Sequence, residues 1–145
     1  MEALIAAALV KLKTDITYVR DVDIYVTEDL ELIRMSGGYP AIALKDGGTV
    51  LATETANQGE DVLTLRAGIY TKLHKPGAAI MGDSSASEKG LLVMAKEVLA
   101  ALDDTFTGVA DLSEQVSIGE SKPLPIDETR ALQMIDVTLR YTRWR

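Results

Sequence analysis

Residues 62–73 read VLTLRAGIYTKL, and their alternation decides the fold class. Leu63, Leu65, Ala67, Ile69 and Leu73 fall on one side of an extended chain; Thr64, Arg66, Tyr70 and Lys72 fall on the other. A period of two is that of a strand with one face on a core and the other turned outward. Further strand signals lie on both sides of it. Residues 39–45 (YPAIALK) run into Asp46-Gly47-Gly48, a tight-turn sequence, so residues 49–55 are expected to return as the second arm of a hairpin. Pro40 cannot donate to a ladder and belongs at the start of its strand or on an edge. Residues 57–61 read as a loop. Downstream, a short strand is expected over residues 114–118, a loop around Pro123 and Pro125, and a last strand over residues 131–141, where Ile135, Val137, Leu139 and Tyr141 alternate with Met134, Asp136, Thr138 and Arg140.

Two stretches have helical spacing instead. Ile5, Leu9, Leu12, Ile16 and Val19 recur at i, i+4, i+7, i+11 and i+14, a single buried stripe with Glu2 at the end where the helix dipole favours an acid. Leu91, Ala95, Val98, Leu102 and Phe106 form a second stripe, with Ser85 and Glu88 spaced as a capping box before it and Gly108 at its end. Residues 21–38 carry weaker signals: Thr27 caps a short helix that begins with Glu28 and Asp29 and stops at Gly37. Pro76-Gly77 breaks the long strand, and residues 82–87 form a loop. The sum is an α+β fold: a mainly antiparallel sheet of about four strands, covered on one face by two amphipathic helices. The chain of 145 residues fits a single domain, 1–145, without internal repeat or linker.

Composition narrows the function. The chain is 47% hydrophobic and 26% charged, and it holds no cysteine, which excludes disulfides, thiolate metal sites and cysteine nucleophiles. Fifteen Lys+Arg against 22 Asp+Glu leave a net charge of −7, the wrong sign for a protein that grips a phosphate backbone. No apolar run approaches the ~20 residues of a membrane helix. Residues 4–10 (LIAAALV) follow Glu2 and precede Lys11 and Lys13, the reverse of a secretory signal, so a mature cytoplasmic chain is expected.

A search for chemistry finds little. Gly82-Asp83-Ser84 resembles the nucleophile block of an esterase class, but the single histidine, His74, lies upstream beside Lys75, and a serine without a base is a weak nucleophile. His74 alone cannot make a zinc site, which needs two or three further donors. Gly77 and Gly82 flank AAIM with no Gly-Lys-Ser/Thr to follow, so no phosphate loop is present. Asp103-Asp104 reads as a solvated helix end, and Glu54, Glu60 and Asp61 lack the spacing of a calcium loop. No catalytic, metal or cofactor-binding residue is assigned. The C-terminus is more informative: in RYTRWR, Arg140, Arg143 and Arg145 interleave with Tyr141 and Trp144, residue types that often anchor interfaces. Arg66, Tyr70, Lys72, Arg140, Arg143, Trp144 and Arg145 are the candidate interface residues. The alternative is a solvated strand end whose Trp144 covers the core edge.

An N-terminal helix, a Tyr-Pro strand with a glycine turn (YPAIALKDGG), a long strand, an amphipathic helix and a last strand reading IDVTLRYTRWR together resemble the tail terminator, or tail completion, proteins of long-tailed bacteriophages and prophages. The resemblance spans most of the chain and rests on element order and strand texture. It implies a homo-oligomeric ring, commonly a hexamer, that caps the tail tube and offers the surface joined by the head. It also implies a tail tube protein and a head-completion protein as partners, no cofactor and no active site. The place would be the tail or neck of a virion, after synthesis in the host bacterial cytoplasm. A negative balance suits a lumen through which DNA slides without specific binding. Another neck or minor tail protein, and a small dimeric ligand-binding or regulatory α+β domain, are the competing readings.

Overall fold

The computed structural model describes residues 1–30, 38–55, 58–72, 82–83, 88–102, 112–118, 122–127 and 132–144. In chain order its elements are α1 (Glu2–Asp15), a 3₁₀ turn (Asp21–Asp23), β1 (Ile24–Val26), β2 (Ala41–Thr55), β3 (Gln58–Lys72), β4 (Gly82–Asp83), β5 (Glu88–Lys89), α2 (Leu91–Ala101), β6 (Leu112–Ile118), β7 (Lys122–Asp127) and β8 (Leu132–Trp144). The alternating stretch forms most of β3, the centre of a six-stranded sheet ordered β1-β2-β3-β8-β6, with β7 also on β8. The α+β class is as the sequence implies, with two α-helices among the described residues. Every pairing in this sheet is antiparallel except β1 with β2. The sheet is wider than four strands because β1 adds three residues at one edge while β6 and β7 follow one another along the outer side of β8.

Both helices cover the same face. Leu63, Leu65, Ala67 and Ile69 of β3 join Ile42 and Leu44 of β2 and Ile135, Val137, Leu139 and Tyr141 of β8. Against them pack Leu4, Ala8 and Leu12 of α1 and Leu91, Met94, Ala95 and Val98 of α2. Cross-strand neighbours such as Leu65 and Leu139, or Ala67 and Val137, sit side by side in this layer. Burying each large aliphatic side chain contributes roughly 1.5–3 kcal/mol, so this face carries most of the stabilisation. The Tyr141 hydroxyl donates to the Leu102 carbonyl at 2.7 Å, which satisfies a free acceptor at the end of α2 and ties that helix to β8.

Several local expectations are corrected. The buried stripe of α1 is Leu4, Ala8 and Leu12, while Ile5 and Leu9 are only partly buried at its margin. Residues 4–10 are apolar almost all round, so periodicity alone leaves the phase of this helix open. Asp46-Gly47-Gly48 is not a hairpin turn. β2 runs straight through it, and the ladder to β3 shifts by one residue between Asp46↔Leu65 and Thr49↔Leu63. The Asp46 carboxylate accepts from the Gly48 N–H at 2.7 Å, and Gly48 takes φ +99°, so the turn chemistry serves a bulge. Residues 58–61, read as loop, belong to β3. α2 begins after Gly90, which has no side-chain cap, and Glu88 lies in β5 ahead of the helix. Residues 21–38 hold β1, which pairs in parallel with β2 from Ile24↔Ile42 to Val26↔Leu44. Asp29 N–H does bond Thr27 Oγ1 at 3.2 Å. Pro123 and Pro125 lie in a strand, β7, and an edge strand is where proline costs a ladder least. Finally, β8 extends to Trp144 and pairs with β3 as far as Glu60↔Trp144, so the chain does not leave the sheet at Tyr141.

His74, Ser84, Ser85, Pro76-Gly77, Asp103-Asp104, Phe106, Gly108, Gly37 and Arg145 lie outside the described residues, as do the side chains of Lys72, Arg143 and Trp144.

Candidate functional site

The face of the sheet turned away from the helices splits into two zones. At the β1 end, Leu30, Ala41, Ala43, Tyr70 and Met134 form a second, smaller buried cluster, with Tyr25 and Tyr39 packed against it. The Tyr70 hydroxyl donates to the Leu30 carbonyl, which holds the chain after β1 down on the sheet. Gly68 makes room for this: a Cβ there would stand 2.8 Å from the Tyr70 hydroxyl and 3.1 Å from Leu30 Cδ2. Burial, with Tyr25 and Asp136 nearby, pushes the Tyr70 phenol well above the ordinary tyrosine range. Beside this cluster a buried carboxylate, Asp23, accepts from Arg20 Nε at 2.7 Å and from the Gly38 N–H at 3.0 Å, fixing the start of β1 to the approach to β2.

The other zone is polar. Arg66 pairs with Asp136 across β3 and β8, and Arg66 keeps 37% of its side chain exposed. Thr64 faces Arg140 in the ladder and Arg66 faces Thr138; the two threonines are half-buried, and Arg140 is exposed. Val50, on β2 past the bulge, is 62% exposed. The bulge changes the phase of β2, so that Val50 aligns with Val62 on this outer side.

These positions do not gather all the sequence-derived candidates. Arg66 and Arg140 share the polar zone. Tyr70 is removed from any docking surface, being only 2% exposed within its own chain. An alternating strand shows which residues share a face, yet it cannot show that a segment folds back over half of that face. Lys72 pairs with Leu132 and Trp144 with Glu60, at opposite ends of β3. They stand roughly 40 Å apart at a strand's rise per residue, too far for one contact patch. Two features escaped the sequence reading. Asp136 partners Arg66, and its only sequence trace is an acid at the polar phase of the last strand. The open lateral edges of the sheet have no local signature, since they depend on which strands neighbour one another.

Between the end of α1 and α2 lies an open pocket of about 280 Å³, lined by Asp15, Ile16, Thr17, Tyr18, Glu97, Ala100 and Ala101. Burial and the neighbouring Glu97 carboxylate raise the Tyr18 phenol far above its usual range. Asp15 is engaged by Lys11 at 2.9 Å. The pocket thus presents two carboxylates and a phenol, with no histidine, lysine or arginine among its lining residues. Among the described residues no group of three or more acidic or histidine side chains is placed to hold a metal ion. None of the described helices is long and apolar enough to cross a membrane.

No family model matches the chain, and no curated protein matches it. A solved structure does. A chain in the virion of a native gene transfer agent particle is similar to this one with a TM-score of 0.54 and 17% identity, over 99% of this chain and 96% of that chain. At that identity the likeness shows a shared fold, and it runs through nearly the whole of both chains.

Proposed function

We propose that this chain is a structural protein of a phage-like virion: a tail terminator that forms a ring on the end of the tail tube and offers the surface joined by the head. The observation that carries this reading is the likeness of fold, over nearly the full length of both chains, to a component of a gene transfer agent virion. Shared fold alone does not fix function. Here it coincides with a resemblance drawn from element order. The working unit is a ring, with a hexamer as the expected size, and its partners are a tail tube protein and a head-completion protein. A net charge of −7 suits a lumen that lets DNA pass without holding it. No catalysis is part of this role.

Size exclusion with light scattering, over a wide concentration range and with added tube protein, tests the proposal. The expected outcome is a discrete assembly larger than a dimer, or a ring seen by electron microscopy on tube ends. A chain that stays monomeric throughout, or a dimer whose melting point rises with a small metabolite, would instead support a ligand-binding domain.

A further inference from the structure

The sheet has a blunted half and an open half. β1 covers the outer side of β2 only from Ile42 to Leu44, and the last bond there runs from Thr27 N–H to the Leu44 carbonyl at 2.9 Å. From Lys45 to Thr55, no described strand lies on that side of β2. Across the sheet, no described strand lies on the outer side of β6. The two open edges stand at the same level. One row of register partners runs Asp46, Leu65, Leu139, Ile118; another runs Leu51, Asp61, Arg143, Leu112. In the other half the edges are the three-residue β1 and the proline-bearing β7 (KPLPID), both poor templates for another strand. Backbone donors and acceptors that no described strand pairs in the open half need water or a partner strand.

We infer that copies of this chain join edge to edge, the β2 edge over residues 46–55 of one copy taking the β6 edge of the next as an antiparallel neighbour. This rests on the ring reading above and names the surfaces that would build the ring. The strand count identifies the occupant. In the open half the sheet runs β2, β3, β8, β6, four strands of alternating direction, so its two edges point opposite ways. Copies related by rotation about one axis therefore meet antiparallel, the stronger pairing, whereas an odd number of strands would place parallel edges together. Such a contact is head-to-tail, and rotation closes it into a ring. A foreign strand satisfies one edge of each copy; a second copy satisfies both. Val50, exposed on the β2 edge, gains cover in this arrangement. Bulges at Asp46/Thr49 and Leu51/Thr53 on β2, and at Leu112/Glu114 and Gln115/Ser117 on β6, divide the joint into short runs, which fix a register and resist indiscriminate strand pairing.

The chain has no cysteine, so introduced thiols report cleanly. Val50→Cys on β2 is mixed in turn with Glu114→Cys and Ser117→Cys on β6, the two positions whose register partners, Thr142 and Arg140, share the phase of Val50. After mild oxidation of the full-length assembly, the expected result is a covalent dimer from Val50→Cys with at least one β6 variant. The matching double variant should give a ladder of multiples, while each single variant alone stays uncrosslinked. Self-crosslinking of Val50→Cys would replace the head-to-tail joint with a two-fold one and overturn the inference. A full-sized assembly by light scattering that forms no β2–β6 crosslink would overturn it while leaving the ring intact. A chain that never assembles would remove both.

Discussion

The two faces of the sheet hold their residues in place by different means. On the helix-covered face, side chains from β2, β3 and β8 meet two helices in one continuous apolar layer, and many contacts share the work. On the opposite face, five buried residues and two partly buried tyrosines gather where the Tyr70 hydroxyl bonds the Leu30 carbonyl over the bare Cα of Gly68. Redundant packing loses stability in proportion to volume removed; a sparse cluster concentrates its stability in a few groups. The two faces should therefore respond differently to substitution.

The largest effect is expected on the helix-covered face. Leu65 is fully buried and faces Leu139 in the ladder. Leu65→Ala removes most of its apolar volume and leaves a cavity that neighbours fill only in part. Chemical denaturation should show a loss on the order of 2–5 kcal/mol. A loss below about 1 kcal/mol would mean that this face is not the main core.

That face was also the legible one. Alternation in residues 62–73 and 131–141 and the stripe at Leu91, Ala95 and Val98 each report a local period, and burial of Leu65, Val137 and Val98 follows from them. The opposite face was misread because its cover comes from elsewhere in the chain. Leu30 reaches Tyr70 across forty positions, and nothing near Tyr70 announces it. Likewise Asp46-Gly47-Gly48 has the residues a tight turn needs, yet a bulge needs the same positive φ and the same Asp-to-backbone bond. Proline marked β7 as loop, although an edge position removes the objection to proline. The candidate interface fared similarly. Arg66 and Arg140 were placed on the outer face by their phase, but Tyr70 was drawn inside by tertiary contact.

A smaller effect is expected on the sparse face, and it should be coupled. Tyr70→Phe leaves the buried Leu30 carbonyl without its donor, a change of roughly 1–3 kcal/mol. Gly68→Ala places a methyl against the Tyr70 hydroxyl, so the buried ring must shift. Together the two should cost less than their sum, because Phe has no hydroxyl for the new methyl to strike. A double-mutant cycle by denaturation measures this, and residues in contact commonly couple by about 0.5–3 kcal/mol. Strict additivity would mean that the hydroxyl does not lie over Gly68.

The smallest effect is hidden at neutral pH and compares one phenol from each side of the sheet. Tyr18 packs against the helix-side core, beside Glu97, and Tyr70 sits in the opposite cluster; burial raises both above the ordinary tyrosine range near 10. A raised phenol pKa means that the folded state keeps a proton that the unfolded state releases. The contribution is thus fully present below pH ~10, where both states are protonated, and stability falls as the pH rises beyond it. Melting temperature should be flat from neutrality to about pH 9 and decline above pH 10. Absorbance titration should show the Tyr18 and Tyr70 phenols ionising late, and Tyr70→Phe should remove one late step and flatten part of the alkaline decline. If both ionise near pH 10 while the protein stays folded, neither phenol is shielded, and the seal formed by Tyr70 over the second cluster is open to water.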